Sequence, residues 1–449
     1  MLIQLFTSFF LLTLPFVILK LITKTSKPKE SAPPAHSISP KYYPIIGSSL
    51  ALKSHEEDRV QWTTLILQNS PSATFTFHLL FGGRHIFTAN PANVQHILKT
   101  QFSNYQKGPS SYSVLFDFLG NGIFNVDGES WKFQRQVSSH EFNTKSLRKF
   151  IQNVVDTELN GCLIPMFSDA AVDKNALDLQ EILQRFAFDN VCKIAFGFDP
   201  ACLSPSLPSA EFAEAFEEAT KISSIRFRAL FSISWKIMRF FDVGSEKRLK
   251  IAVSRVREFA MKINFATDIV ISFILAGRDT TSVALTWFFW LLSKNPEVEE
   301  EILKEIKGKS GMPVFEEVKD MVYTHACLCE TMRLYPPVPV DGKTAENDDV
   351  LPDGTVVKKG TIVTYHPYAM GRMEMLWGSD WEVFKPERWL QRDEGGKWSF
   401  VGERSLYLSS VPGGTQSLFG KGDGISADEK GGGWSSTTVQ GCAGGGGWV

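Results

Sequence analysis

The sequence predicts a mostly α-helical chain with a small β region. Apolar residues recur at helical spacing through most of residues 49–340. One segment, Thr267–Lys294, is apolar nearly all round, which is typical of a buried helix, and Asn295 and Pro296 end it. From Asp348 to Thr364 short β-rich runs flank a turn, which indicates strands. Other predicted helices are Asn93–Thr100, Ser146–Asn160, Ser209–Thr220 and Glu297–Lys307.

The composition is that of an ordinary globular protein and argues against a nucleic-acid-binding protein. The chain has 449 residues, of which 43% are hydrophobic and 21% charged, as in ordinary globular proteins. A net charge of −2 lacks the basic excess that nucleic-acid binding usually needs, so we expect no nucleic acid as a partner. The six cysteines have no framework spacing, which favours a reducing compartment.

Residues 1–20 are predicted to form an N-terminal transmembrane anchor. The run from Met1 to Leu19 is uncharged and long enough to span a bilayer as a helix. Lysines follow it from Lys20 onward, so the positive-inside rule leaves the rest of the chain in the cytosol. A cleaved signal peptide would need positive charge before the run and a small-residue cleavage site after it, and neither is present. Residues 21–48 are predicted to be a Pro-rich hinge.

The segment Ala276–Thr281 places polar residues in the middle of the long apolar helix. Polar groups there are costly unless they have partners. Gly277 lets another group approach the backbone closely, and the hydroxyls of Thr280 and Thr281 can bond back to the preceding turn and open the helix. The acid Asp279 beside the alcohol Thr280 could relay protons to a bound oxidant. Taken alone, the segment fits equally well a second membrane span or a core helix with a satisfied polar pocket.

Glu330 and Arg333 lie at i and i+3, so they share one helix face and can pair. On its own such a pair is nearly always a weak surface ion pair. Downstream, Arg388 offers a second guanidinium that could bind the same carboxylate in a fork geometry.

Trp131 and Arg135 lie at i and i+4 on another predicted helix face. An indole N–H and a guanidinium there could both donate to one anionic group, such as a pair of carboxylates. The alternative, which this pair alone would favour, is a cation–π contact at the surface.

In this order and at these intervals, the elements resemble those of a cytochrome P450 over about residues 1–402. The resemblance implies the P450 fold, a catalytic domain over residues 49–402, and haem b as the cofactor. It implies that Asp279 and Thr280 are catalytic. It also implies an oxygen-binding helix with Ala276, Gly277 and Thr281, haem-propionate contacts from Trp131 and Arg135, and a structural lock of Glu330, Arg333 and Arg388.

Three further sequence segments resemble those of the plant fatty-acid ω-hydroxylases of P450 family 94. These are Gly122–Trp131, Asp348–Gly354 and Tyr365–Met373, and the ending Gly396–Gly402 leans toward the fatty-acid members. That likeness implies hydroxylation of long-chain fatty acids at or near the ω carbon. It also implies an NADPH-dependent cytochrome P450 reductase as partner and the endoplasmic reticulum membrane as location. Jasmonate-amide hydroxylases are close relatives and stay open as an alternative.

The chain departs from this family where the axial ligand should be. The family carries its cysteine thiolate in Phe-x-x-Gly-x-Arg-x-Cys-x-Gly, and no such string occurs here, so no metal ligand is predicted. Cys442 is the only cysteine after Cys329, but it lacks the flanking Phe, Gly and Arg. Residues 403–449 form an aberrant Gly/Ser-rich tail that is predicted to be disordered.

A shift of reading frame explains the missing loop. With permitted codons for 403–430, the frame one nucleotide later encodes a haem loop whose cysteine codon straddles Leu418 and Phe419. A second departure is a charged segment that is missing around Val256–Thr267. Together they suggest a faulty gene model or a pseudogene. The fold is thus expected to be incomplete at the haem-ligand loop, and a haem-free pseudoenzyme is the competing interpretation.

Overall fold

The structure is a computed structural model that describes residues 40–43, 46–141, 145–204, 211–229, 232–263, 266–307, 320–392, 396 and 398–401. The chain divides into two compact units, Met1–Pro40 and Lys41–Val449, and all the described elements lie in the second. The predicted anchor 1–20, most of the hinge 21–48 and the tail 403–449 lie outside the described residues. The predictions on Cys442, on the Leu418/Phe419 codon and on the missing loop therefore stay predictions.

Helices dominate the described chain, as the sequence predicts. Those before the long central helix are α1 (Ser49–Ser54), α2 (Arg59–Gln68), α3 (Pro91–Gln95), α4 (Gly108–Leu119), α5 (Gly128–Glu141), α6 (Lys145–Glu158), α7 (Ile164–Asp173), α8 (Leu179–Phe196), α9 (Glu211–Arg228), α10 (Ser232–Phe240) and α11 (Gly244–Lys262). The central helix and those after it are α12 (Thr267–Ile274), α13 (Thr280–Leu292), α14 (Pro296–Lys307), α15 (Val322–Leu334), α16 (Pro367–Met370) and α17 (Glu374–Trp377).

The small β region is also present. Its strands are β1 (Thr74–His78), β2 (Arg84–Thr88), β3 (Tyr105–Gln106), β4 (Asp341–Ala345), β5 (Asp349–Val350), β6 (Val356–Val357), β7 (Ile362–Tyr365), β8 (Leu390–Arg392) and β9 (Trp398–Phe400). Five of them form one sheet in the order β1-β2-β7-β4-β3. In it β2 pairs with β7 in parallel, with His85 opposite Ile362. The predicted strands around the turn are β5, β6 and β7.

One predicted helix end was wrong. Ser209–Thr220 was expected to end at Thr220, but α9 continues to Arg228. Ile222, Ser223 and Arg226 in this extension are buried, and α9 packs along α11. Tertiary packing therefore extends the helix beyond the point where the local pattern fades.

The long central helix lies in the core. It spans Thr267–Leu292 and is the one helix in the described ranges that is long and apolar enough to cross a membrane, yet 61% of its most apolar window is buried inside the protein. It packs on both α8 and α15. Of the two non-catalytic alternatives for this segment, burial favours a core helix over a membrane span.

Candidate active site

The oxygen-binding segment of the resemblance is a widened turn in the central helix. Leu275–Asp279 form one π-helical turn between α12 and α13. The Thr280 hydroxyl donates a hydrogen bond of 2.6 Å to the Ala276 carbonyl oxygen. Such a turn disturbs the regular backbone ladder and is frequent at functional sites. The helix therefore widens at the position where the Thr280 hydroxyl was predicted to bond back to the preceding turn. Ala276 and Thr281, on the same segment, are buried.

Gly277 provides room for a neighbouring helix. A methyl group built on it would lie 2.4 Å from Cγ2 of Val191 on α8, which is far inside normal contact distance. The close approach that glycine allows is thus helix packing against Val191. The sequence predicted the need for space but not the identity of the neighbour.

The acid of this segment is held by its own neighbour. Asp279 Oδ1 accepts a bond of 2.9 Å from Arg278, and Arg278 also reaches Gln184 Oε1 at 3.3 Å. Burial raises the pKa of the Asp279 carboxyl, and the Arg278 charge opposes that rise. Among the described contacts no hydrogen bond joins Asp279 to the Thr280 hydroxyl, so the two predicted catalytic side chains are adjacent but not linked.

Trp131 and Arg135 lie on α5 and line a cavity of about 1030 Å³. The Arg135 guanidinium lies 5.6 Å from the centre of the Trp131 ring. This is the cation–π geometry of the alternative interpretation, but at the wall of a large cavity, where both groups can also face an anion. None of residues 276–281 lines this cavity. The structure thus does not bring the two predicted parts of the site together in it.

Lys107 is a cavity residue that the sequence reasoning missed. Its ammonium donates to the Val126 carbonyl at 2.7 Å and lies 5.7 Å from the Trp131 ring. Burial lowers its pKa to about 8, because the charged form loses hydration. A single lysine without a pattern around it carries no local signal, so only the fold could reveal it.

Glu330, Arg333 and Arg388 meet around one buried carboxylate. Arg333 binds both Glu330 oxygens, at 2.8 and 2.7 Å, and Arg388 Nε lies 3.3 Å from Oε1. The Trp389 indole adds a bond of 2.9 Å, and the Lys385 backbone N–H one of 3.0 Å. The side chains of Glu330 and Arg333 are fully buried. The pair alone suggested a surface contact, but the second arginine and the indole make it a core network.

The rest of this network ties distant loops together. Arg333 also donates to the carbonyls of Gly371 and Val383. Arg388 Nη1 binds Asp380 Oδ1 at 2.7 Å and the Trp377 carbonyl at 2.9 Å. The Arg388 hydrogen bond lowers the pKa of Asp380 to about 2. The role of these residues as a structural lock stays a prediction, and this geometry is what it rests on.

The described residues fit only part of a haem. Trp131, Arg135 and Lys107 offer donors suited to its carboxylates. None of the described cysteines lines the cavity, however, and burial raises the pKa of each thiol. A raised pKa opposes the thiolate form that binds iron. The axial thiolate is therefore not supplied by the part of the chain that the structure describes.

Known proteins resemble this chain over most of its length. The family model for cytochrome P450 matches residues 38–267 and 266–402. The chain is 56% identical over 414 residues to Cytochrome P450 94A1 of Vicia sativa, which covers 85% of this chain and 80% of that protein. It is 55% identical to Cytochrome P450 94A2 of Vicia sativa, covering 86% and 82%. It is 47% identical to Cytochrome P450 94B1 of Arabidopsis thaliana, covering 83% and 78%.

The limits of the family match coincide with both departures in the sequence. Its two segments meet at residues 266–267, beside the predicted loss around Val256–Thr267, and it stops at residue 402, where the Gly/Ser-rich tail begins. The match and the identities together cover the helices, the sheet and the buried carboxylate network described above. The chain therefore belongs to the cytochrome P450 monooxygenases, a family whose cofactor is haem, and within them to family 94.

Proposed function

We propose that this chain derives from a membrane-anchored monooxygenase that hydroxylates long-chain fatty acids at or near the ω carbon. Its electrons would come from an NADPH-dependent cytochrome P450 reductase at the endoplasmic reticulum membrane. The observation that carries the substrate class is the cavity beside Trp131. Its walls are largely apolar, with side chains that include Phe87, Leu115, Phe124, Val338 and Ile362. Such walls suit a long hydrocarbon chain.

We further propose that the 449-residue chain is inactive as translated. Haem held by a cysteine thiolate supplies the dioxygen chemistry of this family. No described cysteine can take that position, and Cys442 lacks the flanking residues of the ligand loop. This supports the haem-free pseudoenzyme as the second candidate for the chain as written, with the monooxygenase as the function of its frame-restored form.

The reduced-CO difference spectrum separates these candidates. The expressed 449-residue chain should give no thiolate-type Soret band, whereas the chain with its frame restored after Gly402 should give one. A thiolate-type band from the unrepaired chain would refute the claim of inactivity. Coding DNA whose shifted frame lacks a cysteine codon at Leu418/Phe419 would refute the frame-shift explanation.

The substrate class needs a separate assay with the repaired chain. Reconstituted with a reductase, it should convert lauric or oleic acid to hydroxy acids carrying oxygen at or next to the terminal methyl. A jasmonate amide offered at the same concentration is the comparison. Faster turnover of the jasmonate amide would replace the fatty-acid proposal with the alternative.

A further inference from the structure

Two arginines of the cavity wall form no ion pair within 4 Å of an acid among the described residues. Arg59 is the first residue of α2 and Arg228 is the last residue of α9, and both line the cavity that also holds Trp131. We refer to Arg59 and Arg228 as the arginine corner. They are 169 residues apart in the sequence, so only the fold places both in one cavity wall.

Their hydrogen bonding is incomplete. Nε of each side chain is buried and has no hydrogen-bond partner among the described residues. Arg59 Nη2 donates to the Leu52 carbonyl at 2.7 Å, and Arg228 Nη1 makes one long contact of 3.5 Å with the Glu56 carbonyl. A guanidinium has five N–H donors. Most of the donors at this corner are therefore available to a ligand.

One nearby acid, Glu56, offsets part of the positive charge of the corner, since burial and the charge of the other arginine lower the pKa of Arg59 while the Glu56 carboxylate raises it. The Glu56 carboxylate is also bound by Lys53, and that hydrogen bond is the main cause of the lowered pKa of Glu56. His85, also on the cavity wall, shares a hydrogen bond of 2.8 Å with the Thr364 hydroxyl. Burial, with the Arg59 charge, lowers the pKa of His85 to about 4, so it is neutral at pH 7. The corner keeps a net positive charge.

A partly buried positive charge with unsatisfied donors is unfavourable unless an anion binds there. The apolar walls of the same cavity call for a hydrocarbon attached to that anion. We propose that Arg59 and Arg228 bind the carboxylate of an amphiphilic acid whose chain occupies the cavity. The proposal rests on the proposed function, and it adds how the acid is oriented: its polar end is held at α2 and α9.

The corner is separate from the donors expected to face haem carboxylates. Those donors, Trp131 and Arg135, lie on α5, whereas the corner is built from α2 and the end of α9. The cavity thus presents two cationic sites on different elements with apolar side chains such as Phe87, Leu115 and Phe124 in the same wall. With two separate cationic sites, the cavity could bind the carboxylates of a haem at one site and the carboxylate of a substrate at the other.

Binding can be measured without turnover, on the full 449-residue chain. Isothermal titration calorimetry at pH 7.5 would compare laurate with dodecanol, which has the same chain and no charge. Laurate should bind about 10-fold tighter or more, since its carboxylate would accept charge-assisted hydrogen bonds from both guanidinium groups and dodecanol cannot. Arg59→Met and Arg228→Met should each remove most of that preference and leave dodecanol binding unchanged.

Arg248→Met is the matched control. Arg248 is an exposed arginine of α11 that lies 3.4 Å from Glu218 and does not line the cavity. Its loss should leave the laurate preference intact. A charge reversal shows that a lost laurate preference does not come from misfolding. Arg59→Glu should bind dodecylammonium several-fold tighter than the unchanged chain does. A misfolded variant would not gain affinity for a new ligand.

The outcomes separate the two proposals. Equal affinity for laurate and dodecanol, or a preference that survives Arg59→Met and Arg228→Met together, would overturn the carboxylate site while leaving an apolar substrate in place. Failure of both ligands to bind the unchanged chain would overturn the fatty-acid cavity itself, and with it the arginine corner.

Discussion

The two arginine clusters of this protein differ in one respect that separates a structural network from a binding site. Around Glu330, Arg333 and Arg388 direct their donors to a carboxylate and to backbone carbonyls. At the cavity, the buried Nε groups of Arg59 and Arg228 have no hydrogen-bond partner in the part of the chain that the structure describes. The first cluster is electrically neutralised by the fold. The second keeps buried donors that no described group accepts from, which is why we assign it to a ligand.

The largest expected effect is at the neutralised cluster. Glu330→Gln would leave two buried guanidinium groups without their carboxylate, which costs about 3–5 kcal/mol of unfolding free energy. Chemical denaturation followed by circular dichroism measures it. Glu301→Gln is the control, because Glu301 pairs with an exposed lysine and should have little effect. A small loss for Glu330→Gln would break the distinction between the clusters.

Helix α9 offers the same comparison within one element. Arg226 is buried, binds Glu246 through two donors and reaches Asp117 Oδ2 at 2.8 Å, whereas Arg228 forms no ion pair with any described acid. We expect Arg226→Met to cost about 3 kcal/mol, less than the loss at Glu330 because Asp117 stays partly hydrated. Arg228→Met should cost much less, and thermal unfolding of both variants measures the difference. Equal losses would contradict the comparison.

Asp189 is a buried acid that forms no ion pair with a described cation, so it shows what burial does to a charge. Asp189 accepts backbone N–H groups from Cys202 and Leu203, yet burial raises its pKa to about 6. A raised carboxyl pKa means that the folded state holds the proton more tightly, so this contribution to stability is lost as the pH rises from about 4 to 6. The loss is about 2–3 kcal/mol. Asp189→Asn should abolish that part of the pH dependence of unfolding, and an unchanged profile would refute it.

The smallest expected effect is at Arg59, where a substitution should stabilise the protein slightly or not change its stability. In the absence of ligand, Arg59→Met should leave the unfolding free energy unchanged or raise it by up to about 1 kcal/mol, because a partly buried charge that forms no ion pair with a described acid is replaced by an apolar chain. Thermal unfolding of the ligand-free chain measures this. A clear loss of stability would show that the fold itself depends on Arg59.

Sequence reasoning predicted the features that local spacing specifies. Glu330 and Arg333 are three residues apart on one helix, so their contact follows from helix geometry. The π turn lies where Thr280 can reach the Ala276 carbonyl, which is again a contact within one turn. The β turn between β5 and β6 was visible from its residues. Each of these needs only neighbours in the chain.

The contacts that sequence reasoning missed join segments that are far apart. No spacing indicates that Arg59 and Arg228 share a wall, that Val191 fills the space above Gly277, or that Lys107 lies near Trp131. The parallel pairing of β2 with β7 brings His85 opposite Ile362 and so shapes the same cavity. Such contacts depend on how the helices and the sheet pack, and no local periodicity encodes that.

By itself the sequence determined the fold class, the family resemblance and the absence of the family's cysteine motif, because composition, helical spacing and motifs are properties of the chain. The tertiary structure alone decided which charges are neutralised. An arginine is stable inside a protein when acids or carbonyls surround it, and those partners come from other elements. Arg226 and Arg228 lie two residues apart on one helix, and only the fold makes one part of the core and the other part of a binding surface.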